Sequence, residues 1–115
     1  MYKIEHHQNI LLLSFHENLI ADTHHLALFS ALENEIEDGY QLCAVDISKV
    51  HFLNSNGLNS LIRILTLFRN NDGEMILINP SESVNQLLII TKLKAIFQIT
   101  NSLEEAKKTL LHSSK

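Results

Sequence analysis

The sequence predicts a single α/β domain over residues 1–115, with a mixed, mostly parallel central sheet of four to five strands and about four helices. Three observations predict it. Short, nearly continuous apolar runs occur at Ile10 to Leu13 leading to Phe15, at Leu42 to Val45 leading to Ile47, and at Met75 to Ile78. Runs of this length suit strands buried on both faces. The 26 residues between Phe15 and Leu42, and the 27 between Ile47 and Met75, fit helical crossovers joining parallel strands. Hydrophobic residues make up 45% of the 115 and charged ones 19%, enough for one core and too apolar for a disordered chain.

The elements follow in order. Tyr2 to Glu5 reads as an edge strand, ahead of the first buried run. The first crossover places Leu28, Phe29, Leu32 and Ile36 on one helical face, with Asp22 or Thr23 as its cap and Gly39 as its end. The second places Leu58, Leu61, Ile62, Leu65 and Phe68 on one face, with Asn59, Ser60 and Arg63 directed away and Leu67 roughly opposite. Gly73 closes that connection. Asn79-Pro80-Ser81 is a turn into a helix carrying Val84, Leu87 and Leu88. Ile96 to Ile99 is a weaker strand. A last helix runs from about Ser102 to Leu111, with Leu103, Ala106 and Leu110 on its apolar side, and the tail from about residue 112 is expected to fray.

Composition excludes several chemistries. The only glycines are Gly39, Gly57 and Gly73, too far apart for a Gly-rich phosphate cradle or a serine-hydrolase elbow. A single cysteine, Cys43, permits no internal disulfide and no cysteine-based zinc cluster; its place in a buried run makes it a small hydrophobe. Seven histidines include the adjacent pairs His6-His7 and His24-His25, but no H-x-x-x-H spacing, so no metal site and no cofactor are expected. Scattered basic residues and a net charge of −4 argue against nucleic acid. No apolar run spans a membrane, and a cytoplasmic protein is expected.

Chemistry concentrates in the segment from Asp46 to Leu58, which joins the second buried strand to the second helix at the carboxyl edge of the sheet, where sites form in parallel α/β proteins. Asp46 is expected to hold backbone N–H groups of the following loop. Ser55 falls at the helix start, where two readings are open. Ser55 or Asn54 caps the helix, or Ser55 accepts a phosphate that the free N–H groups and the positive helix end would stabilise.

The stretch Asp46-Ile47, Val50, Phe52-Leu53-Asn54-Ser55-Asn56-Gly57-Leu58 resembles the signature of STAS domains of the anti-sigma factor antagonist type. Gly73-Glu74-Met75-Ile76-Leu77, Val84, Leu87, Lys92-Leu93 and Ile96-Phe97 continue the match in register. The family has Asp where this chain has Asn54, and a small residue where it has Asn56. The resemblance implies a non-enzymatic partner-switching regulator with no catalytic residues. Ser55 is then phosphorylated by an anti-sigma factor that is itself a serine protein kinase. The unphosphorylated form binds that factor, phosphorylation ends the binding, and a PP2C-type phosphatase reverses it. The implied partner surface comprises Asn54, Ser55, Asn56, Gly57, Asn59 and Asp22. From its place in the architecture, Gly57 is expected to let the chain turn tightly beside Ser55. Self-association, if any, is expected as a weak homodimer. Two other readings stay open: a scaffold subunit of a larger STAS assembly, and a STAS-like domain that binds a ligand or nucleotide.

Overall fold

The structure, a computed structural model, describes residues 2–16 and 25–113. One sheet holds five strands in chain order: β1 (Tyr2–His7), β2 (Ile10–Phe15), β3 (Leu42–Asp46), β4 (Glu74–Ile78) and β5 (Gln98–Thr100). β1 is antiparallel to β2, with Tyr2 opposite Phe15 and His7 opposite Ile10, and every other neighbouring pair is parallel. The helices are α1 (His25–Glu37), α2 (Ser55–Asn70), α3 (Glu82–Ile90) and α4 (Leu103–Ser113). A 3-10 turn at Leu93–Ala95 precedes β5.

The continuous apolar runs are explained by burial on both faces. Leu11, Leu13, Phe15, Cys43, Val45, Met75 and Leu77 point to one side, where they meet Leu28 and Leu32 of α1, Leu61, Ile64, Leu65 and Phe68 of α2, and Val84 and Leu88 of α3. Their alternates Ile10, Leu12, Leu42, Ala44, Ile76 and Ile78 point to the other and meet Leu103, Ala106 and Leu110 of α4. A strand alternates its side chains between faces, so each interior strand needs apolar residues at every position. β1 has only one covered face. Tyr2 and Ile4 pack on the larger cluster, whereas Lys3 and Glu5 form a surface ion pair at 3.6 Å. His6 reaches across to α1, its Nε2 lying 2.8 Å from Glu35 Oε1 and its ring 4.5 Å from that of Tyr40.

Several sequence expectations need correction. The buried stripe of α2 runs through Gly57, Ser60, Leu61, Ile64, Leu65 and Phe68, so Ser60 faces the core and Ile64, absent from the expected stripe, is fully buried. Leu58 and Ile62 flank it half-buried, and Leu67 packs against the core rather than facing solvent. The last strand begins at Gln98, not Ile96, because the 3-10 turn and Lys92 at φ +64° carry the chain past that point. Helix α4 continues to Ser113, two residues beyond its expected end. Asp22 and Thr23, the expected caps of the first helix, lie outside the described residues.

Two glycines act as expected. Gly39 ends α1 at φ +104°, and its N–H donates to the Ile36 carbonyl at 3.0 Å. Gly73 donates to the Phe68 carbonyl at 2.7 Å, and a Cβ there would collide with the Gln41 backbone carbonyl.

Candidate functional site

The carboxyl ends of β3 and β4 support the segment that leads into α2. After β3, the Ile47 N–H donates to the Ile78 carbonyl at 3.3 Å, extending the sheet contact by one residue. Asp46 Oδ1 accepts from the Ser48 N–H at 2.9 Å, the loop-holding role expected of it. Ile47, Val50 and Leu53 are buried and pin the loop from beneath. Ser81 fastens it from the side: its hydroxyl donates to the Val50 carbonyl at 3.0 Å and accepts from the Val84 N–H at 3.3 Å. One side chain thus caps α3 and ties that helix to the loop before α2.

The helix itself resolves the question of the cap. Asn54 is the N-cap in extended backbone, its Oδ1 accepting from the Gly57 N–H at 2.8 Å and its carbonyl from the Leu58 N–H at 2.9 Å. Ser55 is the first helical residue and is exposed, outside the capping bond. Asn and Asp cap about equally well, so Asn54 keeps the acceptor without bringing a carboxylate to the cap position. No acidic residue occupies the first turn of α2, so within that turn no carboxylate offsets the positive helix end.

Asn54, Ser55, Asn56, Gly57 and Asn59 therefore fall within the first turns of one helix. Ser55, Asn56 and Asn59 are exposed, Asn54 is half-buried and Gly57 is buried. The tight turn expected at Gly57 is absent: its φ is not positive, and it is the third residue of α2, on the core side. Gly57 contributes a backbone donor to the cap. Asp22 lies outside the described residues and is not placed relative to this turn.

Sequence reasoning missed a neighbour. Phe52 is 54% exposed beside the site, and a groove of about 200 Å³ runs along His51, Phe52, Leu53, Ser83, Val84 and Leu87. The approach of α3, which supplies the opposite wall, has no local sequence signature.

Elsewhere the chemistry is quiet. Cys43 is fully buried, and burial pushes its thiol far above the ordinary range, so it is no nucleophile. Among the described residues no group of three or more His, Cys, Asp or Glu could hold a metal ion, and no helix is long and apolar enough to cross a membrane.

The family model of the STAS domain matches residues 1–106. Among solved structures, the protein TM1081 of Thermotoga maritima is similar at 22% identity, over 95% of this chain and 93% of that one, with a TM-score of 0.82. An anti-sigma factor antagonist from Mycobacterium paratuberculosis matches at 22% identity, over 96% and 92%, with a TM-score of 0.76. The phosphorylated form of SpoIIAA, a Bacillus cell fate determinant, matches at 18% identity, over 95% and 98%, with a TM-score of 0.70. At these identities the likeness is one of fold.

Proposed function

The chain belongs to the STAS domain family, and we propose that it acts within that family as a partner-switching regulator whose state is carried by Ser55. In this reading the unphosphorylated protein binds an anti-sigma factor that is also a serine kinase. Phosphorylation of Ser55 ends the contact, and a PP2C-type phosphatase restores it. The protein performs no catalysis of its own.

The observation that supports this most is the division of labour at the start of α2. Asn54 makes the cap, so the exposed Ser55 hydroxyl is not needed to hold the helix together. A phosphate added there meets the N-terminus of a helix whose first turn holds no acidic residue, and the fold has no reason to open. The consequence for a partner is large. Phosphorylation adds about −1.5 to −2 charges. A unit charge ~6 Å from a like charge costs roughly 3 kcal/mol at an effective dielectric of ~20, over a hundredfold in affinity. No conformational relay is required.

Pull-down with the anti-sigma factor tests the reading. Ser55→Ala is expected to bind constitutively, and Ser55→Asp and phosphorylated protein to lose binding, with circular dichroism unchanged in all three. Equal binding by every form removes the switch.

A further inference from the structure

The first turn of α2 contains the only Asn-Gly dipeptide of the chain, Asn56-Gly57. In this dipeptide the backbone nitrogen of glycine, unhindered by a side chain, can attack the preceding side-chain amide. Asn56 is exposed, and the nitrogen concerned is the Gly57 N–H that Asn54 Oδ1 engages at 2.8 Å. We propose that Asn56 is a deamidation site held in check by the Asn54 cap, and that its conversion places a negative charge beside Ser55.

The step balances without any enzyme. The Gly57 nitrogen bonds to Asn56 Cγ, the Cγ–Nδ2 bond breaks, and ammonia leaves with the proton that the Gly57 N–H gives up. Water then opens the resulting succinimide at either carbonyl, leaving aspartate or isoaspartate at position 56. Two features of the folded chain oppose the attack. Helical backbone at Asn56 holds the glycine nitrogen away from Cγ, and the capping bond occupies its hydrogen. Ser60 Oγ adds a third restraint by donating to the Asn56 carbonyl at 3.1 Å. Reaction therefore requires the first turn to open, and the cap controls how often it does. The aspartate product is tolerated, because a carboxylate in the first turn of a helix sits favourably against its dipole, whereas isoaspartate lengthens the main chain by one atom and opens the turn.

The chemistry stands independently of the proposed function; its effect on a partner rests on that reading. The test is a time course of the full-length protein in mildly alkaline buffer, with peptide mapping that separates asparagine, aspartate and isoaspartate. Position 56 is expected to convert slowly in the native protein and faster in urea. Asn54→Ala is expected to speed native conversion roughly fivefold, the shift in opening that loss of a cap produces. Asn54→Asp, which keeps the acceptor, is expected to stay at the wild-type rate. Equal rates in native buffer and urea, or in wild type and a folded Asn54→Ala, overturn the proposal. Should Asn54→Ala not fold, the urea comparison decides alone. Asn56→Asp is expected to lose anti-sigma factor binding as Ser55→Asp does. If position 56 deamidates as stated but Asn56→Asp binds undiminished, the partner reading fails while the modification site stands.

Discussion

At the scale of single residues, the site is set by which of two neighbours carries the cap. Asn54 and Ser55 are both good capping residues, and the sequence permits either. The structure assigns the bond to Asn54, so removing the Ser55 hydroxyl leaves the capping bond in place. The assignment has a thermodynamic signature. Asn54→Ala is expected to lose about 1 kcal/mol in urea unfolding, and Asn54→Asp to remain close to wild type. Ser55→Ala, outside the cap, is expected to stay within about 0.5 kcal/mol of wild type. A larger loss for Ser55→Ala than for Asn54→Ala would reverse the assignment. Asp46 and Ser55 lie where the sequence placed them because both readings depend on neighbours in the chain. Phe52 was not legible as a surface residue, since its exposure depends on α3 leaving a groove between the two.

At the scale of elements, strands were easier to place than the helix register. The runs in β2, β3 and β4 are apolar on both faces, as interior strands of a sheet covered on both sides require. In α2 the choice was closer. Leu58, Leu61, Ile62, Leu65 and Phe68 make an acceptable stripe, but the helix turns so that Gly57, Ser60 and Ile64 lie over the sheet. Small side chains at 57 and 60 suit the covered face, and Ser60 satisfies its hydroxyl within the helix, on the Asn56 carbonyl. A polar residue with an internal partner is thus hidden from pattern reading. The register is testable: Ile64→Ala is expected to cost roughly 3 kcal/mol in chemical denaturation, and Ile62→Ala, half-buried, less than about 1.5. Similar losses at both positions would contradict it. β5 was misplaced for a related reason. Ile96 to Ile99 is a plausible strand locally, but the 3-10 turn at Leu93–Ala95 uses Ile96 to close itself, its N–H donating to the Leu93 carbonyl at 3.0 Å.

At the scale of the whole molecule, a sheet covered on both faces gives a rigid platform, and the switch proposed for it is a change of charge at one edge. Cys43 reports on that platform, being fully buried in β3, the middle strand of the sheet. Its ordinary thiol value is 9.0 and burial moves it far upward. The unfolded chain then loses the proton as pH rises above about 9 while the folded chain keeps it, so stability falls with rising pH in that range. Denaturant midpoints compared between pH 8 and 10 are expected to fall less in Cys43→Ala than in wild type. An equal fall in both would show that the thiol is not shielded. Thiol reagents are likewise expected to label wild type only on unfolding. The central claim concerns Ser55, and phosphosite mapping of the protein purified from its own cells tests it most directly. A phosphoryl group on the peptide containing Ser55, lost in Ser55→Ala, is the predicted result; phosphate found only at other residues, or absent from Ser55 throughout growth and starvation, would contradict it.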